Sequence, residues 1–183
     1  MRRVIVSDVF GLTDELIELG GHICSDYLII DPYMGKKNIF TDEKLAYQYF
    51  TTNVGLDKYS IHVHEELLNI NCPVSIIGFS IGASAIWKFS DKVNSTNIKE
   101  VDLFYGSQIR NMLNIQPNIK ANIVLPRFED HFSVSDMAEI LKGVDNVSLE
   151  KIEGLHGFMN KLSSNFNQPV YSRYISKLRK YAI

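Results

Sequence analysis

Cysteine is scarce: the chain has two, Cys24 and Cys72, in 183 residues. That excludes a disulfide framework and leaves a hydrophobic core to hold the fold. Charge of one sign is lacking as well, with 19 basic against 21 acidic side chains and a formal net charge of −2. So balanced a chain gives no electrostatic footprint for nucleic acid or for an anionic membrane surface. No apolar run approaches the length that spans a bilayer. The succession of basic, apolar and small residues typical of a secretory leader does not open the sequence. A soluble, cytoplasmic protein is therefore expected. Internal repeats, low-complexity stretches and linkers are also lacking, so residues 1–183 are read as one domain.

What is there is ordinary globular material, 45% hydrophobic and 22% charged, in a length that can bury a sizeable core. Short apolar runs alternate with helical periodicity. The strands expected are Arg3–Ser7, Tyr27–Ile30, a run starting at Val74, Val101–Tyr105, Ala121–Leu125 and Val147–Ile152. Helices are expected from Leu12 to about Ser25, capped by Thr13 or Asp14 but weakened at Gly20-Gly21, and from Asp42 to about Tyr49. Asn53-Val54-Gly55 breaks that second helix, and another runs from Asp57 to Asn69. Two more cover Ser133–Leu141 and about Val170 to Tyr181, with Pro169 at the mouth of the last. Strands that are solidly apolar rather than alternating belong to a sheet covered on both faces. The fold class expected is α/β, a three-layer α/β/α sandwich on a mostly parallel six-stranded sheet.

One stretch organises the rest. Val74-Ser75-Ile76-Ile77 reads as a buried strand, Ala83-Ser84-Ala85-Ile86-Trp87 as a helix start, and between them lies Gly78-Phe79-Ser80-Ile81-Gly82. This is G-x-S-x-G, the pattern of a nucleophile elbow. There the chain turns so sharply that the serine is strained, and its hydroxyl stands at the positive end of a helix. Three fixed letters arise by chance in about one chain of this length in twenty. The plainer alternative is a tight turn whose serine only caps the helix.

An activated serine needs a base, and the base needs an orienting acid. On a parallel sheet all three should lie past the C-terminal strand ends. That rule sorts the five histidines. His22 falls inside the first helix. His62 and His64 fall inside another and, two residues apart, face different sides. His156 follows the last strand between Gly154 and Gly157, which makes it the expected base. His131 also follows a strand, beside Glu129 and Asp130, and the acid is drawn from that loop. Asp130 is the first choice and Glu129 the second. Asp102 should point to the wrong end of the sheet, and Asp136 falls within a helix. The order Ser80, Asp130, His156 is that of α/β-hydrolases.

With these residues the chain resembles the dienelactone hydrolase family of the α/β-hydrolase superfamily. The resemblance is carried by Val4-Ile5-Val6-Ser7-Asp8-Val9-Phe10-Gly11-Leu12, by Tyr27-Leu28-Ile29-Ile30-Asp31-Pro32-Tyr33 and by the elbow. Phe104-Tyr105-Gly106, Glu129-Asp130-His131-Phe132 and Leu155-His156-Gly157-Phe158 extend it. It implies a minimal α/β-hydrolase fold without a lid domain, and an oxyanion hole from the N–H groups of Val9 and Ile81. The switch point between the first and third strands brings Val9 and Ser80 to the same place. Asp8 matches an acidic residue that in the family contacts the nucleophile; capping the next helix is its other reading. Phe10, Tyr33, Tyr105 and Phe158 are candidate pocket residues, with core packing as the alternative.

Two departures limit what the resemblance carries. Its founding members have cysteine in the elbow, where this chain has Ser80, and Cys72 precedes the strand. They also hold a substrate carboxylate through arginines, one shortly after the histidine. By the resemblance Asn160 stands at that position here, and residues 32–62 contain no arginine. The expectation is a serine hydrolase, a carboxylesterase that cleaves a small-molecule ester or thioester without metal or other cofactor. Residues 34–56 are the only material for a cover. A homodimer is left open. A non-catalytic ligand- or partner-binding protein on the same fold is the alternative. A flavodoxin-like or nucleotide-binding domain is disfavoured, because no glycine-rich phosphate loop follows the first strand.

Overall fold

The computed structural model describes residues 1–94 and 96–179. Its strands are β1 (Arg2–Val6), β2 (Tyr27–Ile30), β3 (Val74–Phe79), β4 (Ile98–Phe104), β5 (Ala121–Leu125) and β6 (Val147–Lys151). The helices are α1 (Asp14–Ile23), α2 (Glu43–Asn53), α3 (Gly55–Leu68), α4 (Ile81–Phe89), α5 (Val134–Leu141) and α6 (Gln168–Arg179). All neighbouring strands pair in parallel, in the order β2-β1-β3-β4-β5-β6. The "mostly parallel" expectation therefore becomes wholly parallel among the described residues.

Strand alternation sends Val4, Val6, Ile76, Leu103 and Ile123 into one core, shared with Val63 of α3, Trp87 of α4 and Leu141 of α5. Ile5, Ile77, Phe104 and Val124 enter a second core with Leu19 of α1 and Tyr174 and Leu178 of α6. Each face of the sheet thus buries its own apolar row, which is the three-layer arrangement. Buried Arg3 ties the layers at the sheet's N-terminal end. It donates to the Leu178 carbonyl at 2.7 Å and to the Ser75 hydroxyl.

Several element boundaries differ from the sequence reading for local reasons. α1 runs unbroken through Gly20, which is glycine because the Tyr27 ring lies where its Cβ would be. Thr13 caps it, accepting from the Leu16 amide. α2 continues to Asn53, and the break comes where Gly55 takes φ +78°, a conformation that favours glycine. β4 begins earlier than expected, at Ile98, because polar Lys99 and Glu100 hide its start from an apolar-run search. The expected last residues of the closing helix, Lys180 and Tyr181, lie outside the described residues. No helix among the described residues is long and apolar enough to cross a membrane.

Candidate active site

Strand β3 delivers Ser80 and α4 carries the chain away. Ser80 has φ 50° and ψ −112°, far from the allowed regions of an L-residue. The turn is enforced by contact: a Cβ on Gly78 would lie 2.8 Å from the Ala83 Cα. One on Gly82 would lie 2.6 Å from the Val6 carbonyl oxygen and against that of Ser7. Helix α4 can therefore press onto the end of β1 only with glycine there. The Ser80 side chain makes no capping bond to α4, so the plain-cap reading does not hold. Its Oγ lies 2.8 Å from His156 Nε2 instead.

His156 follows β6 on a loop held by Asn165, whose side-chain Nδ2 donates to the His156 carbonyl at 3.0 Å. The other ring nitrogen, Nδ1, lies 2.7 Å from Glu129 Oε1. Both side chains are largely sheltered, 19% and 11% exposed. The carboxylate on the histidine is thus Glu129, and the first choice, Asp130, is corrected. Asp130 instead faces an open cleft. The Arg127 amide donates to the Gly154 carbonyl at 2.9 Å, fixing the β5 loop against the β6 loop. Beyond that contact Glu129 is partly sheltered against His156 and Asp130 is exposed.

Burial pushes the His156 imidazole down, but the bond and charge of Glu129, with the charges of Glu43 and Asp8, outweigh it. The ring's pKa is raised above its ordinary value. Glu43, the first residue of α2, was not among the sequence candidates. Its Oε1 lies 3.9 Å from His156 Nε2. The cleft of about 620 Å³ is lined by Val9, Ser80, His156, Glu129 and Asp130. Glu43, Lys44 and Tyr47 from α2 also line it, as do Ser107, Gln108 and Arg110 from a 3₁₀ turn after β4, and His131 and Phe132. The sequence signal for α2 was only that residues 34–56 had to supply any cover.

Val9 and Ser80 do share this cleft. Ile81 is the first residue of α4, so its amide has no carbonyl one turn back to bond. Asp8 is buried and does not cap α1. Its Oδ1 accepts from the Phe10 amide at 3.0 Å and its Oδ2 from Asn160 Nδ2 at 2.6 Å. Burial pushes its carboxyl up to about 6, against those two bonds and the His156 charge, with Glu43 adding to the rise.

The expected pocket aromatics lie elsewhere. Phe10 and Phe158 are core residues. Tyr105 is buried with its ring centroid 5.0 Å from that of His156, backing the imidazole. Together Asp8 and Tyr105 line a small cavity of about 20 Å³ rather than the cleft. Tyr33 meets the rings of Phe40 and Tyr49 at steep angles, tilted and edge-on, and its hydroxyl donates to the Val9 carbonyl. Phe10, Tyr105 and Phe158 thus fill the core, whereas half-buried Tyr33 braces the Val9 backbone. No group of three or more His, Cys, Asp or Glu side chains among the described residues is arranged to hold a metal ion.

No family model matches the sequence. It is 26% identical over 186 residues to the uncharacterized protein YczH of Bacillus subtilis strain 168, covering 98% of this chain and 91% of that one. Among solved structures the fold is similar to a Klebsiella pneumoniae protein provisionally described as a dienelactone hydrolase. The TM-score is 0.72 at 14% identity, over 98% of this chain and 85% of that chain. It is also similar to Est1E of Butyrivibrio proteoclasticus with ferulic acid bound, with a TM-score of 0.64 at 11% identity over 98% and 87%. At these identities the likeness is one of fold, and it extends over nearly the whole chain.

Proposed function

We propose that this chain is a serine hydrolase of the dienelactone hydrolase-like type, cleaving a small carboxylic ester or thioester through an acyl-enzyme. The observation that carries the reading is the continuous path from Ser80 Oγ to His156 Nε2 at 2.8 Å and from Nδ1 to Glu129 at 2.7 Å, starting at a strained serine. Such a path supports acyl transfer: the base can accept the serine proton while the acid holds its tautomer and stabilises the imidazolium.

Ser80 Oγ attacks the ester carbonyl carbon and its proton passes to His156 Nε2. The amides of Val9 and Ile81 are the candidate donors for the carbonyl oxygen as it becomes anionic. The C–O bond to the alcohol then breaks, and the alcohol leaves with the proton from Nε2. Water yields a proton to Nε2 while its oxygen attacks the acyl carbon. The carboxylic acid departs and the proton returns to Ser80. The hydrolase descriptions attached to proteins of similar fold support the reading.

The test is labelling with a fluorophosphonate, together with turnover of p-nitrophenyl acetate by the wild type and by Ser80→Ala. Labelling at Ser80, and turnover that falls at least about a thousandfold in the variant, are expected. A folded protein that neither labels nor turns over the ester would instead be the non-catalytic binder.

A further inference from the structure

We propose that Glu43 selects the leaving group, so that the ester cleaved here carries a cationic group on its alcohol side, of the amino-alcohol kind. This rests on the hydrolase reading above. In that chemistry the leaving oxygen must meet His156 Nε2 to receive its proton. Whatever lies a few ångströms beyond Nε2 on the open side therefore touches the alcohol portion. Glu43 lies there. Its Oε1 is 3.9 Å from Nε2, its side chain is 41% exposed, and it lines the cleft.

As the first residue of α2, Glu43 also suits the positive end of that helix, but this does not require its carboxylate to reach toward His156. Glu129 already orients the histidine through Nδ1. Asp42 caps α2, accepting from the Leu45 amide at 2.8 Å. Beyond its approach to His156, Glu43 accepts a long hydrogen bond from the Ser163 hydroxyl at 3.5 Å. The other charged groups that act on His156, Glu129 and Asp8, are also acidic, so the surroundings of the base are negative.

The cations in the cleft lining are Lys44 and Arg110. Lys44 stands on the exposed side of α2. Arg110 is committed to the 3₁₀ turn, donating to the Ser107 carbonyl at 2.7 Å and lying 4.9 Å over the Phe132 ring. In a solvated cleft, charge interactions weaken steeply with distance, and the group nearest the reacting atoms dominates. The arginines that the resemblance implies for a substrate carboxylate are lacking, and a carboxylate beside Nε2 repels one.

The experiment uses the full chain and three acetate esters: acetylcholine, its neutral isostere 3,3-dimethylbutyl acetate, and anionic acetoxyacetate. In the wild type, kcat/KM for the cation is expected to exceed that for its isostere by about tenfold, with the anion a similar factor below. Glu43→Gln should bring both ratios toward one, and Glu43→Lys should invert them. Asp42 remains to cap α2 in both variants, and the ratios are taken within each variant, so a partial loss of folding does not imitate the result. Ratios unmoved by Glu43→Gln, or a wild type that favours the anion, would overturn the assignment of Glu43 alone. Failure of the wild type to cleave any of the three esters, with Ser80 unlabelled by fluorophosphonate, would remove the hydrolase reading and this inference with it.

Discussion

The hydroxyl of Tyr33 donates to the carbonyl oxygen of Val9 at 2.7 Å. The amide on the other side of that same peptide, that of Phe10, donates to Asp8 Oδ1 at 3.0 Å. Both ends of the Val9–Phe10 peptide plane are therefore held, which limits where the neighbouring Val9 N–H can point. Tyr33→Phe removes one hold without opening a cavity. It is expected to cost about 1 kcal/mol of stability and to lower kcat on a neutral ester about tenfold, with KM nearly constant. A urea titration and steady-state kinetics would check both. A drop in stability with kcat unchanged would sever this bond from the oxyanion site.

The two adjacent carboxylates of the β5 loop should behave very differently. Glu129→Gln keeps the shape but loses the charge that stabilises the imidazolium, and kcat is expected to fall by about a hundredfold or more. Asp130→Asn should cost far less. The pH profile gives a second readout. Burial lowers the His156 pKa, but its carboxylate neighbours raise it overall, and the base must be neutral to act. The acid limb of kcat/KM should therefore lie above the ordinary imidazole value and move to lower pH in Glu129→Gln.

Asp8 makes stability depend on pH in a direction unusual for a carboxylate. Its pKa rises from 3.8 to about 6 on folding. Between those values the folded chain holds a proton that the unfolded chain has lost, so stability falls as pH rises through the window. Asp8→Asn should remove that decline. The variant is expected to gain on the wild type by about 2–3 kcal/mol between pH 4 and pH 7, read as the difference in urea midpoints. A wild-type stability that rises across this range in step with the variant would contradict it.

At the elbow, Gly82→Ala places a methyl group against the carbonyl oxygens of Val6 and Ser7. Backbone cannot yield as a side-chain tip can. The loss should fall at the upper end of about 1–3 kcal/mol, and the strand end carrying Asp8 and Val9 should shift from Ser80. Slower fluorophosphonate labelling of a still-folded variant would report that shift.

The sequence alone determined the layers and singled out Ser80 and His156, two side chains that meet in the candidate site. Solid apolar strands demand cover on both faces, and G-x-S-x-G has few structural uses after a buried strand. Only one histidine followed the last strand between glycines. Which of Glu129 and Asp130 turns inward depends on how two loops meet, Arg127 bonding Gly154 across them, and no local pattern shows that. Tyr33, Tyr105 and Phe158 read alike as apolar rings near strand ends, yet packing put two in the core and gave the third a backbone to hold. Glu43 became part of the site only when α2 folded over the cleft. Local chemistry is written residue by residue, but the direction in which a loop side chain points is set by what packs behind it.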